Sequence, residues 1–149
     1  MLFLDTNAIV YYLHGVEPYA KRFEEIVAGE QELYTSTRVI DETVFVLVRI
    51  RAAKEMGIRR ISELRRYIER HGYSSFREEL RALRELIHGL GVVVLQDEAP
   101  LDEMLRVVER YRLLPSDAVI ALTCRHYGIQ RILTFDEDFR RVPWLRVVG

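Results

Sequence analysis

The chain has 149 residues, of which 49% are hydrophobic and 30% charged, and its formal net charge is −1 at pH 7. This size and composition exclude an intrinsically disordered chain, so we expect one folded domain over residues 1–149. No apolar run approaches the roughly 18 residues of a membrane span, and a charge at Asp5 comes too early for a signal peptide, so we expect a cytoplasmic protein with no membrane partner.

The first half of the chain predicts strands that alternate with amphipathic helices. Short apolar runs that end in polar residues mark the strands, and a period of 3.6 residues marks the helices. In chain order the predicted elements are a strand at 2–4, a helix at 8–13, a helix from 17–18 to 29, a strand at 32–36, a long apolar helix at 38–54 and two helices with apolar stripes at 61–68 and 76–87. Asn7 and Thr37 stand where the N-caps of the first and third helices should be.

The second half continues this alternation. It predicts a buried-type strand at 91–95, a helix that begins at Asp97-Glu98 and runs to 108, a helix at 118–127, a strand at 131–134, a turn or short helix at 135–139 and a last strand at 145–148. Pro115 and Ser116 are start signals for the helix at 118–127, and Gly128 stops it. Strands separated by helices predict the α/β class with a parallel, doubly wound sheet.

Basic residues are concentrated in one part of the chain. Residues 49–84 contain eleven Lys or Arg against five Glu, a net charge of +6, and the remainder carries −7. Such a stretch beside acidic surroundings is typical of a protein that binds a polyanion. Pairing of Glu with Arg on a solvated helix face explains it equally well, so both interpretations stay open.

Four carboxylates occupy positions where open α/β sheets bind ligands, at or just beyond the carboxyl ends of strands. Asp5 ends the first strand, Glu42 lies in the first turns of the helix after the second, Asp117 opens a helix, and Asp136 follows the strand that ends at Thr134. Each has an ordinary explanation as a turn former or helix cap. Together they suggest more, because Glu42 and Asp117 face apolar sides of their helices and charges there need a partner or a metal ion.

A carboxylate cluster without cysteine or histidine ligands favours Mg²⁺ or Mn²⁺ over zinc. The chain has one cysteine, its four histidines lack metal-like spacing, and no glycine-rich phosphate loop is present. Such ions lower the pKa of bound water and stabilise the leaving oxygen of a phosphodiester, so no side-chain nucleophile is needed. The pattern therefore indicates metal-dependent hydrolysis.

At these residues the chain resembles the PIN domain family, and most closely the toxin nucleases of VapBC toxin–antitoxin pairs. The resemblance spans essentially the whole chain. The matching segments are Leu2-Phe3-Leu4-Asp5-Thr6-Asn7, Val39-Ile40-Asp41-Glu42-Thr43, Ser116-Asp117-Ala118 and Thr134-Phe135-Asp136-Glu137-Asp138-Phe139.

The resemblance implies a three-layer α/β/α fold with strand order 3-2-1-4-5. The basic helices at about 55–88 are additional to this fold and lie between strands 2 and 3. It implies cleavage of RNA by an Mg²⁺- or Mn²⁺-dependent endoribonuclease, with Asp5, Glu42, Asp117 and Asp136 as catalytic and metal-binding residues. Thr6 and Asn7 would orient Asp5. Asp41 and Asp138 are the alternatives to Glu42 and Asp136; we favour Glu42 because the family has Glu there, and Asp136 because it comes sooner after the strand.

The resemblance also implies partners: an RNA substrate, a small antitoxin protein and a second copy of the chain. An apolar surplus on the helices at 38–54 and 74–89 is consistent with a homodimer. A housekeeping RNA-processing nuclease would use the same chemistry, and a non-catalytic RNA-binding module would keep the fold. A phosphotransfer protein is disfavoured, since the only lysines, Lys21 and Lys54, lie in helical stretches.

Overall fold

The computed structural model describes all of residues 1–149. The strands are β1 (Leu2–Leu4), β2 (Leu33–Ser36), β3 (Val93–Leu95), β4 (Arg131–Leu133) and β5 (Arg146–Val148). The helices are α1 (Thr6–Leu13), α2 (Tyr19–Ala28), α3 (Thr37–Met56), α4 (Ile61–His71), α5 (Arg77–Gly89), α6 (Leu101–Tyr111) and α7 (Pro115–His126). Two 3-10 helices lie at Ser74–Phe76 and Glu137–Arg141.

The five strands form one sheet in the order β3-β2-β1-β4-β5, and every neighbouring pair is parallel. This confirms the predicted fold class and strand order. The apolar residues of β1 are completely buried because β1 is the central strand. In a parallel sheet all carboxyl ends meet at one edge, so the residues that follow β1, β2 and β4 come together there.

Both faces of the sheet are covered by helices, and the main core includes side chains from β1, β4, α1, α3 and α7. A second, smaller core of Val48, Ala52, Leu64 and Phe76 holds α4 and the first 3-10 helix against the outer side of α3. The packing of α4 and of the first 3-10 helix therefore depends on α3. None of the helices has the length and hydrophobicity to cross a membrane.

Both predicted N-caps are wrong. Asn7 lies inside α1, where its side-chain oxygen accepts a hydrogen bond from the backbone N–H of Phe135. The cap of α3 is Ser36, whose hydroxyl oxygen accepts from the N–H of Val39, while the Thr37 hydroxyl donates to the Leu95 carbonyl. In both cases a contact with a distant part of the chain decides the role of the polar side chain.

The prediction that the third strand is buried is also wrong, because β3 is an edge strand and Val93 and Val94 are about half exposed. The following helix begins at Leu101 rather than at Asp97. One Asp97 oxygen accepts a 2.8 Å hydrogen bond from the backbone N–H of Arg38, in the first turn of α3. Asp97 therefore accepts a hydrogen bond from a backbone N–H that has no partner within α3, and it does not begin α6.

Candidate active site

Asp5 lies at the centre of the acidic edge of the sheet. It follows β1 directly, occupies the N-cap position of α1, and is only 6% exposed. The hydroxyl of Thr134, the residue after β4, donates to Asp5 Oδ2 over 2.8 Å. Its carboxylate makes no helix-capping hydrogen bond, so it stays available at the edge of the sheet.

Glu42 and its neighbour Asp41 point in different directions, because successive residues of a helix are rotated by about 100°. Glu42 is half-buried, and the hydroxyl of Thr6 donates to its Oε2 over 3.1 Å. Asp41 is exposed and forms an ion pair of 3.1 Å with Arg38 on the outer face of α3. Of the two residues, the geometry brings only Glu42 to the residues that follow β1.

Asp117 reaches the same edge from the first turn of α7, which Pro115 opens. Carboxylate oxygens of Asp117, Asp136 and Asp138 lie within 4.8 Å of one another. Asp136 accepts from the backbone N–H of Asp138 over 3.0 Å, which orients one of its oxygens. Asp138 forms an ion pair of 2.7 Å with Arg141, so its charge is already partly balanced.

The carboxylates repel one another in a poorly solvated place. Burial, with the negative charges of Glu42 and Asp136, raises the pKa of Asp5 from 3.8 to about 6, although hydrogen bonds from Thr134 and the Thr6 backbone lower it. Burial raises the pKa of Asp117 to about 7, and the charges of the neighbouring carboxylates add to this rise. The four candidate residues form no ion pair with a basic side chain.

This donor set fits a hard divalent cation. It offers carboxylate oxygens only, it has an excess of negative charge, and it lies at the carboxyl edge of a parallel sheet. A cation there would lower the repulsion that raises the pKa of Asp5 and Asp117. The arrangement can therefore hold a divalent metal ion.

Sequence reasoning did not assign a role to Thr134, which is fully buried and links two of the acidic residues. Its hydroxyl donates to Asp5 and accepts from the backbone N–H of Asp136 over 3.1 Å. The available signal was a hydroxyl residue at the end of an apolar strand. Asn7 supports the same loop through its hydrogen bond from Phe135, and no local pattern could have distinguished that contact from a helix cap.

Comparisons with known proteins agree with this fold. The sequence model of the PIN domain matches residues 2–145. Ribonuclease VapC2 of Methanocaldococcus jannaschii is 29% identical over 148 residues, which cover 99% of this chain and 92% of that protein.

Two solved structures share the fold. VapC20 of Mycobacterium tuberculosis, described as a toxin that cleaves the sarcin-ricin loop, has a TM-score of 0.64 and 18% identity, with 96% of this chain and 95% of that chain covered. VapBC2 of Rickettsia felis, bound to a DNA fragment of its promoter, has a TM-score of 0.62 and 17% identity, with 99% and 98% covered.

Proposed function

Because the chain belongs to the PIN domain family, we propose that it is a metal-dependent endoribonuclease and the toxin of a toxin–antitoxin pair, with residues 1–149 as one nuclease domain. The observation that carries this proposal is the cluster of carboxylates at the carboxyl edge of the sheet, of which only Asp138 has a basic partner. The similarity to Ribonuclease VapC2 supports RNA as the substrate. Incubation of the purified protein with single-stranded and structured RNA, in Mn²⁺ and in chelator, tests it.

Asp5, Asp117, Asp136 and Glu42 would hold one or two Mg²⁺ or Mn²⁺ ions. We favour Asp136 over Asp138, since Arg141 balances the charge of Asp138 whereas Asp136 has no basic partner. When bound, the metal supplies a more acidic water and neutralises charge on the reacting phosphate.

The residues of the chain supply position and charge. Thr134 and Thr6 orient Asp5 and Glu42 through their hydroxyl groups, so that both carboxylates face the same space. Asp117 lies in the first turn of α7, close enough for the charges of Asp5 and Glu42 to raise its pKa. No side-chain nucleophile is needed at such a site, so we infer attack by water on an RNA phosphodiester.

Thr134→Val is expected to lower the cleavage rate by about tenfold to a hundredfold, the usual effect of removing a group that orients a metal ligand. Valine keeps the shape but removes the hydroxyl that fixes Asp5 and the Asp136 loop. The matched control is Thr35→Val, because Thr35 is equally buried but donates to the Leu4 carbonyl. Initial cleavage rates in saturating Mn²⁺ would measure both variants. Equal rates for the two variants would show that Thr134 has no specific role at the site.

A small antitoxin is part of this proposal. The structure of VapBC2 from Rickettsia felis is bound to a fragment of promoter DNA, and one of its chains matches this chain over nearly the whole length. The excess negative charge at the candidate site suits a basic segment of such a partner. The antitoxin would then inhibit cleavage by occupying the space that RNA needs.

We also propose a homodimer. Its interface would be formed by α6, and not by the helices at 38–54 and 74–89 that the sequence suggested. The apolar side chains of α3 and α5 are largely used inside the chain, whereas Leu101 and Leu105 of α6 are 70% and 52% exposed. Light scattering at micromolar concentration is expected to give the mass of a dimer for the wild type and of a monomer for Leu105→Asp. A monomeric wild type would contradict the proposal.

A further inference from the structure

A cavity of about 300 Å³ lies between the second half of α3 and the segment that leads into α4. Its floor is apolar and includes Val46 and Ile50, and three arginines line it: Arg49, Arg59 and Arg60. All three arginines are exposed and none has a carboxylate partner. No acidic residue lines the cavity, so its field is positive.

The cavity shares a helix face with the candidate active site. Glu42, Val46 and Arg49 are spaced i, i+4 and i+7 on α3, which places them on one side of the helix. Seven residues correspond to about 10 Å along the axis. Glu42 and Arg49 therefore lie on the same side of α3, about two turns apart.

An exposed aromatic ring lies next to one of these arginines. Phe45 is 42% exposed, and the guanidinium of Arg49 lies 5.6 Å from the centre of its ring. A half-exposed aromatic side chain next to unpaired arginines is the combination by which proteins bind single-stranded nucleic acid, with bases stacked on the ring and phosphates paired with the cations.

We propose that Phe45, Arg49, Arg59 and Arg60 form a docking track for the single-stranded RNA that flanks the bond to be cleaved. The proposal rests on the proposed ribonuclease function and assigns its substrate-binding side. The arginines contact phosphates, and a base lies on Phe45 or over the apolar floor of the cavity. Arg51, from the same basic stretch, is not part of the track because it pairs with Glu78 and Glu79.

The test measures RNA binding separately from cleavage. A fluorescein-labelled single-stranded RNA of twelve nucleotides is titrated in chelator, and anisotropy gives the dissociation constant at several salt concentrations. The variant R49A/R59A/R60A is compared with R66A/R81A/R84A, which removes three other exposed arginines without ion-pair partners and changes the net charge equally.

We expect the track variant to bind about tenfold or more weakly and its slope of log affinity against log salt to fall by about 2, since each single-strand phosphate contact contributes about 0.7. The control triple variant is expected to keep the wild-type slope. Phe45→Ala should weaken binding with the slope unchanged, because it removes stacking and no charge.

If the two triple variants have equal slopes of log affinity against log salt, the proposal is wrong. The cavity would then be a candidate site for a protein partner. Because binding is measured without metal, a wild type that binds RNA but never cleaves it would refute the proposed function and still decide the docking track. The single variant Arg59→Ala, with an expected change in slope of about 0.7, keeps the test decisive if the triple variant unfolds.

Discussion

Glu42→Gln is expected to lower the rate of RNA cleavage by about a hundredfold to a thousandfold, the range seen when one group that stabilises charge in a transition state is removed. The substitution preserves size and the hydrogen bond from Thr6 but removes one negative charge from the cluster. Asp5→Asn should have an effect of at least this size, because Asp5 is buried at the centre of the cluster. Initial rates on a labelled RNA in saturating Mn²⁺ measure both changes.

Asp41→Asn is the matched control for Glu42→Gln. Asp41 is the adjacent acid on the same helix, but its side chain is 68% exposed and pairs with Arg38. Its loss removes the same charge from the chain, so we expect a rate within about twofold of the wild type. Comparable losses in the Asp41 and Glu42 variants would mean that net charge, and not position in the cluster, explains the effect.

Metal-free protein is expected to lose stability as the pH rises from 5 to 8. The pKa of Asp5 is about 6 and that of Asp117 about 7 in the folded state, against 3.8 in the unfolded chain, so the folded state binds more protons between these values. Their contribution to the free energy of unfolding is therefore complete below pH 3.8 and is lost as the pH rises through 6 to 7. For buried Asp5 the whole contribution, which is lost between about pH 3.8 and 6, is about 3 kcal/mol.

Mn²⁺ should reverse this loss. At a hundred times its dissociation constant the ion adds about 2.7 kcal/mol at pH 8, or roughly 5–10 °C in melting temperature for a chain of this size. At pH 5 the shift should be smaller, because protons compete for Asp5 and Asp117. Thermal melts in chelator and in Mn²⁺ at both pH values measure it.

Two variants make this result interpretable. Asp5→Asn should flatten the decline in stability from pH 5 to 8 in chelator, whereas Asp41→Asn should leave it unchanged. Stability that rises with pH in the absence of metal would contradict the repulsion described for the cluster. If Mn²⁺ raises the melting temperature equally at pH 5 and pH 8, the ion does not bind at Asp5 and Asp117.

The fold was accessible from the sequence because its signals are local. The apolar run of β1 and the alternation of strand and helix predict a parallel sheet, and most element boundaries agree to within a few residues. The order 3-2-1-4-5 came from the family resemblance and is confirmed. The exposure of β3 was not predicted, because a run of valines occurs both in edge strands and in central strands of a sheet.

Sequence position alone determined that Asp5 and Asp117 reach the acidic edge, because a strand end and a helix start fix where the backbone points. Glu42 was favoured over Asp41 only through the family resemblance, and Asp136 over Asp138 only because it comes sooner after the strand. An arginine three residues from each alternative, Arg38 before Asp41 and Arg141 after Asp138, was a local signal that these two acids form ion pairs. Only the tertiary structure brought Glu42 to the hydroxyl of Thr6. It also placed the buried hydroxyl of Thr134 on Asp5. These two contacts join residues that are 36 and 129 positions apart in the chain, and no local pattern of residues encodes them.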